Sequence, residues 1–252
     1  MGNMLHEIES YWSGRAEGYS KVNQDELQGE QKEKWMQVLH EKFPDREPGS
    51  ISVLDIGTGP GFFAVILAEQ GYRVTAVDYT PEMLEQARKN AGIYAGRINW
   101  YQMDAQKLDF PSGQFDVVVS RNLTWNLESP EKAYQEWHRV LKKDGIMLNF
   151  DANWYAHLFN QELRAAYEKD REQVEQMALE DHYTCTNIDW MEEIARKMPL
   201  SPVARPAWDC QVLKHIGFGK VIAEENIGDR VWSLTEKMNY ASTPMFCVAA
   251  YR

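Results

Sequence analysis

Short apolar runs alternate with amphipathic stretches along most of this chain. ISVLDIG (51–57) is a run of β-branched and apolar residues, which predicts a buried strand. It runs into Gly57, Gly59 and Gly61, and PGFFAVILAEQG then carries a helix away from the turn. GYRVTAVD (71–78) predicts a second strand ending on Asp78. Thr80 and Pro81 open the next helix as N-cap and first helical residue, and EMLEQARKNAG continues it to a glycine stop. INWYQMD (98–104) reads as a third strand ending on Asp104, and FDVVVSRN (115–122) as a fourth. Ser129-Pro130 caps a helix running to Lys143, and GIMLNFD (145–151) is the fifth strand. DCQVLKHIGFGKVIAEENI (209–227) predicts a helix, a turn at Gly217-Phe218-Gly219 and a sixth strand, before a terminal strand in MFCVAAYR (245–252). Such alternation predicts an α/β fold: a doubly wound, mostly parallel sheet with helices on both faces.

The turn at 57–61 carries the first chemistry. Glycine suits a turn whose backbone angles side chains forbid and where a ligand must approach the main chain closely. The helix that follows offers unpaired N–H groups at its start. A dinucleotide fingerprint requires G-x-G-x-x-G, whereas this segment reads D-x-G-x-G-x-G, with Phe62 and Phe63 near the expected third glycine. Asp55 would repel a pyrophosphate but favour the ammonium of an amino-acid moiety. Asp78, at the end of the second strand, suits the two hydroxyls of a ribose.

These residues resemble motif I and its sequel in the class I S-adenosylmethionine-dependent methyltransferases. The nearest likeness is to their small-molecule branch, the ubiquinone/menaquinone biosynthesis type. It covers about residues 50–151 and 208–252. The resemblance implies a seven-stranded Rossmann-like sheet whose last strand inserts antiparallel beside the sixth. It implies S-adenosylmethionine as cofactor, held by Asp55, Gly57, Thr58, Gly59, Gly61, Asp78, Tyr79 and Met83. Asp104 would then take the adenine amino group, and the backbone N–H of Ala105 a ring nitrogen. The family also places cofactor and acceptor contacts at the end of the fourth strand, where Arg121, Asn122 and Trp125 stand. Arg121 could equally pair with Asp116 or Glu128.

Two segments fall outside the resembled core, which spans 46–152 and 208–252. Residues 1–45 contain Tyr11, Trp12, Arg15, Ala16 and Tyr19 ahead of an amphipathic helix, EQKEKWMQVLHEKF. In the resembled branch an aromatic-x(n)-A-x-x-Y segment lies across the cofactor as a lid, and its tyrosine, here Tyr19, reaches the methionine carboxylate. Arg15 could pair with that carboxylate directly. The plainer alternative is that Tyr11, Trp12 and Tyr19 pack the segment on the sheet. Residues 153–207 interrupt the fold after the fifth strand. Tyr155, Phe159, Leu163, Ala166, Tyr167, Val174 and Met177 recur at helical spacing from Trp154 to about Leu179, and most should be core. DWMEEIARKM adds a short helix before a proline-punctuated return. This insert should form a helical cap beyond the carboxyl edge of the sheet, where doubly wound folds bind ligands. Trp154, Tyr155 and His157 at its approach are the expected pocket contacts.

Composition narrows the function further. The chain of 252 residues, 44% hydrophobic, can bury one large core. No apolar run reaches the length of a membrane span, and MGNMLHEIES is too polar for a signal peptide. Cys185, Cys210 and Cys247 form no metal-ligand or redox pair by spacing, so no metal is expected and a reducing cytoplasm is. A net charge of −11 argues against nucleic acid, which is bound through clustered Lys and Arg. SRNLTWN also stands where base-amino methylases carry an aromatic-proline tetrapeptide. The expected partner is a small-molecule acceptor.

A sulfonium donor makes its methyl group electrophilic, so in-line transfer asks mainly for positioning and exclusion of water. A base is needed only for an acceptor that is protonated at working pH. His157, His182 and Tyr183 are candidates, and Asn122 could orient the acceptor. Trp125 could face the sulfonium or an apolar substrate. Two readings compete with a methyltransferase. A protein could bind the donor without catalysis, or a nicotinamide-dependent oxidoreductase could share the glycine turn, although Asp55 and the glycine spacing oppose it. A thiol- or metalloid-directed methyltransferase using the cysteines is a further variant.

Overall fold

A computed structural model describes residues 4–182 and 186–252. Tyr183 and Cys185 therefore lie outside the described residues. The chain opens with two helices, α1 (Met4–Gln28) and α2 (Gln31–His40). The alternating part follows as β1 (Ser52–Ile56), α3 (Phe62–Glu69), β2 (Arg73–Asp78), α4 (Pro81–Ala91) and β3 (Ile98–Gln102). Then come β4 (Phe115–Arg121), α5 (Pro130–Val140) and β5 (Leu141–Asp151). The insert contributes α6 (Gln161–Gln176) and α7 (Ile188–Lys197). The chain returns through α8 (Ala207–Ile216) and β6 (Lys220–Glu224), the short α9 (Gly228–Val231) and α10 (Leu234–Asn239), to β7 (Phe246–Tyr251).

The seven strands form one sheet in the order β3-β2-β1-β4-β5-β7-β6. Strands β1 to β5 are mutually parallel, while β7 runs antiparallel between β5 and β6. The mixed, mostly parallel sheet with an antiparallel last strand agrees with the sequence reading. Parallel strands covered on both sides must be apolar on both faces, and the central ones are. Val53, Val117, Val119, Ile146, Leu148 and Phe150 face the layer that contains α2 and α3. Leu54, Ile56, Val118 and Met147 face the layer of α5 and α8. Trp35 of α2 is fully buried edge-on to Phe63 and Phe150, which fixes the N-terminal helices to the first layer.

Three boundaries differ from the pattern, the first being β3, which ends at Gln102 rather than Asp104. α5 ends at Val140 rather than Lys143, because buried Leu141 pairs with Phe115 in the sheet and Asp144 turns the chain at φ 64°. The insert's helix begins at Gln161 rather than Trp154. Asn160 caps it by accepting hydrogen bonds from the N–H groups of Glu162 and Leu163. Tyr155 and Phe159 thus precede the helix, and Phe159, Leu163 and Met177 are exposed where the stripe predicts core. Tyr167 and Val174 of the stripe are buried as expected, and Asp170 joins them on the buried face.

Candidate active site

The site is built where β1 and β2 end. Gly57 and Thr58 donate backbone hydrogen bonds to Val77 O at 2.9 and 3.0 Å, which ties the turn to β2. The Gly59 N–H donates to Asp78 Oδ2 at 2.8 Å, and Thr80 N–H to Asp78 Oδ1 at 2.9 Å. The carboxylate of Asp78 therefore spans the glycine turn and the start of α4. Gly57, Gly59 and Gly61 all sit in left-handed backbone (φ 67°, 53° and 93°), where a Cβ is strained. A Cβ on Gly57 would meet Leu123 at 2.7 Å. One on Gly59 would project towards the Tyr19 ring at 3.6 Å, into space otherwise open to a ligand. Gly61 serves differently from the expectation. It caps α3, its Cβ position faces Ala87 of α4 at 3.0 Å, and it does not line the cavity.

Asp55 is buried and accepts a hydrogen bond from Thr58 Oγ1 at 2.6 Å. Burial raises its carboxyl to about 7, against the lowering influence of Thr58 and Arg121. Burial also raises Asp78, which its backbone N–H donors partly offset. Asp55 is buried and Asp78 partly so, and among the described residues no lysine lines the cavity beside them, which fits a cationic guest. Asp104 accepts from both the backbone and the side-chain amide of Gln106, at 2.8 and 3.0 Å. Ala105, Met83, Tyr79 and Thr58 line the same cavity.

α1 roofs this cavity. Ser13 donates to Glu82, and Ser20 and Gln24 donate to Asn90, all three across to α4. Asn90 in turn donates to Pro60 O at 2.9 Å, so roof, helix and glycine turn are one hydrogen-bonded unit. Tyr19 lies over the turn and is hydrogen-bonded to the side chain of Asn122, its hydroxyl raised by burial. Arg121 pairs bidentately with Glu26 of α1 at 2.6 and 2.9 Å, with its guanidinium 4.5 Å from the Phe62 ring centre. Its ionic partner is thus neither Asp116 nor Glu128. Asp116, the second residue of β4, lies some five residues or about 16 Å from Arg121 along the strand, and pairs with Arg46 and Lys142.

The cap completes the far end. Trp125 packs on Tyr155 at 4.9 Å and donates its indole N–H to Asn122 O. Trp154 meets Tyr240 edge-on at 5.1 Å. Tyr11 of α1 touches Trp190 of α7 at 5.4 Å, where roof and cap meet. Asn122 Oδ1 and Asn126 Oδ1 are buried without a hydrogen-bond partner, and both residues line the cavity. The glycine cradle, the acids and these orphaned oxygens together fit a nucleoside-amino-acid donor with a second molecule beside it.

His157 is not among the lining residues. It stacks on Tyr167 at 4.1 Å, and its Nε2 stands 3.6 Å from Glu192, beyond hydrogen-bond reach. Burial lowers its pKa. His182 does line the cavity, 3.1 Å from the Tyr240 hydroxyl. Neither Cys210 nor Cys247 does, and burial pushes the Cys247 thiol up to about 12.

Sequence reading misses the supports of this site. Asp151 accepts from Trp125 N–H, Trp154 Nε1 and Thr124 Oγ1, and pairs with Arg205 at 2.8 Å. Arg205, fully buried, also holds Asp209. Only Asp151, as the end of a strand, carries a local signal. Glu26 and Arg205 meet their partners across 95 and 54 residues, and nothing in their own segments announces it.

Asp55 gives a testable titration. The folded protein retains a proton on it up to about 7, whereas an unfolded carboxyl loses it near pH 4. Donor-free stability should therefore fall as pH rises through that window and level off above it. Chemical denaturation across pH, compared with Asp55→Asn, checks this. Parallel profiles for the two proteins would rule it out.

A family model described as a methyltransferase domain matches residues 54–149. A ubiquinone/menaquinone biosynthesis C-methyltransferase of Desulfotalea psychrophila is 33% identical over 147 residues, covering 57% of either chain. A demethylmenaquinone methyltransferase of Thermus thermophilus is 36% identical over 114 residues, 44% of this chain and 49% of that one. This chain thus spans about half the length of the curated relatives it matches. Among solved structures, a candidate S-adenosylmethionine-dependent methyltransferase of Methanococcus maripaludis superposes with a TM-score of 0.60. The match covers 94% of this chain and 92% of that one at 21% identity, a likeness of fold.

Proposed function

We propose that this chain, whose residues 54–149 match a methyltransferase-domain model, is a class I S-adenosylmethionine-dependent methyltransferase that transfers a methyl group from that donor to a small-molecule acceptor. The observation that carries the reading is the cradle of Asp55, the glycine turn and Asp78 under the roof of α1. Asp78 holds the ribose hydroxyls with the lone pairs its backbone donors leave open. Asp104 and the N–H of Ala105 address the adenine, Asp55 the ammonium, and Tyr19 with Arg15 the methionine carboxylate. When bound, the donor supplies a methyl group on a positively charged sulfur. The chain's own part is to align the acceptor and keep water out. Trp125, Trp154 and Tyr155 form the acceptor wall, with Asn122 at its edge to orient the incoming group. No described helix is long and apolar enough to cross a membrane. A reducing cytoplasm is part of the same proposal, in keeping with Cys210 and Cys247 as free thiols.

Calorimetric titration with S-adenosylmethionine and with NAD is the first test. Binding of the former alone is expected, and preference for NAD would overturn the reading. Transfer of label from donor into a metabolite extract then separates an enzyme from a binder. Asp78→Ala should weaken donor binding at least about tenfold, since hydrogen bonds to a charged group contribute about 1.5–3 kcal/mol. Asp78→Asn should lose less, because it keeps an acceptor for the turn. If a 2′-deoxyribose analogue binds as well as the natural donor, the ribose role of Asp78 is wrong.

A further inference from the structure

The acceptor end of the cavity has a chemistry of its own. Its walls are aromatic faces: Trp125 against Tyr155, Trp154 against Tyr240, and Tyr11 from the roof. Its unmet polar atoms are acceptors, the buried Oδ1 of Asn122 and of Asn126. Besides Asp55, Asp78 and Asp104, which are assigned to the donor, two further carboxylates, Glu9 and Glu128, line the cavity, against two arginines. Arg121 is engaged by Glu26, Arg15 lies by Tyr19 on the donor side, and among the described residues no lysine lines the cavity.

From this we infer that the acceptor is an amine carried on an apolar or aromatic body, and that the reaction is N-methylation. The inference rests on the methyltransferase reading above. An anionic nucleophile, such as a phenolate or a carboxylate, would meet aromatic faces and carbonyl oxygens with no uncommitted cation beside them, so its charge would be unopposed. An amine meets what it needs at each stage. Its N–H groups donate to the orphaned carbonyl oxygens, which otherwise remain buried and unmatched. The bound ammonium first gives one proton to solvent, and the nitrogen lone pair so freed forms the new N–C bond while the C–S bond breaks, the bonding pair staying on sulfur to leave a neutral thioether. Positive charge moves from sulfur to nitrogen. The indole and phenol faces are placed to stabilise the charge as it develops. The product leaves as an N-methylammonium ion.

The test compares 2-phenylethylamine with its neutral isostere 2-phenylethanol, by calorimetry on the full-length protein, both free and loaded with S-adenosylhomocysteine. The ammonium form is expected to bind at least tenfold more tightly than the alcohol. Tyr155→Leu and Asn126→Leu, each checked for folding, should each shrink that ratio. In parallel, label from the donor should enter the cation-exchange fraction of a metabolite extract. Equal binding of amine and alcohol, or label confined to neutral and anionic products, would overturn the inference while leaving the methyltransferase reading intact. A protein that ignores S-adenosylmethionine yet prefers the amine would sink the methyltransferase reading and N-methylation with it, leaving an amine-binding pocket.

Discussion

Gly59→Val should abolish donor binding in a protein that still folds. Gly59 stands at φ 53°, and its N–H is held by Asp78 at 2.8 Å. A β-branched side chain there strains the turn by about 1–3 kcal/mol and projects into the space beneath Tyr19. The cost in stability is modest for a domain of this size, because the space beyond the Cβ is open rather than packed. The cost in binding is not, because in the proposed site the same space receives the ligand's polar chain against the backbone. Gly57→Ala is the informative contrast. Its Cβ would strike Leu123 at 2.7 Å, so that variant should lose stability as well as binding. Calorimetry for the donor beside a thermal melt separates the two. Donor affinity unchanged in folded Gly59→Val would remove the turn from the site.

Arg205→Met should cost more stability than any other single change considered. The guanidinium is wholly buried between Asp151 and Asp209, with its face 5.0 Å from the Phe246 ring centre. Its removal leaves two carboxylates facing one another without a cation. Breaking a buried pair in this way costs about 3–5 kcal/mol. For a chain of this length that is a fall in melting temperature on the order of 10 °C. Asp151 also holds the backbone of Trp125 and the indole of Trp154, so the acceptor wall should loosen while the glycine turn keeps the donor. Arg205→Met combined with Asp209→Asn should recover part of the loss, because one stranded charge is gone. A variant that melts with the wild type would show the network to be dispensable.

The two predictions fall on opposite sides of what a linear reading can reach. Strand and helix order, the glycine turn and the acids at strand ends are written locally. Apolar runs of strand length, glycines bounded by an aspartate and capping pairs such as Thr80-Pro81 act within a few residues. Neighbours along the chain are enough to specify them. The same locality explains the errors at Val140, Gln161 and Gly61. Whether Leu141 joins a helix or a strand depends on Phe115, and whether Gly61 meets a ligand or a helix depends on Ala87.

Sequence by itself determined the class of fold and marked the glycine turn that is proposed to hold the donor, because a buried parallel sheet and a backbone-lined turn leave periodic marks. Only the tertiary structure decided what surrounds that place. It brought Glu26 to Arg121, Arg205 to Asp151 and Tyr240 to Trp154, and it set His157 against Tyr167 rather than in the cavity. Such pairs form because a buried charge or ring must find a partner of matching kind, wherever the chain supplies one. That requirement is satisfied in space, and so it leaves no spacing in the sequence from which it could be read.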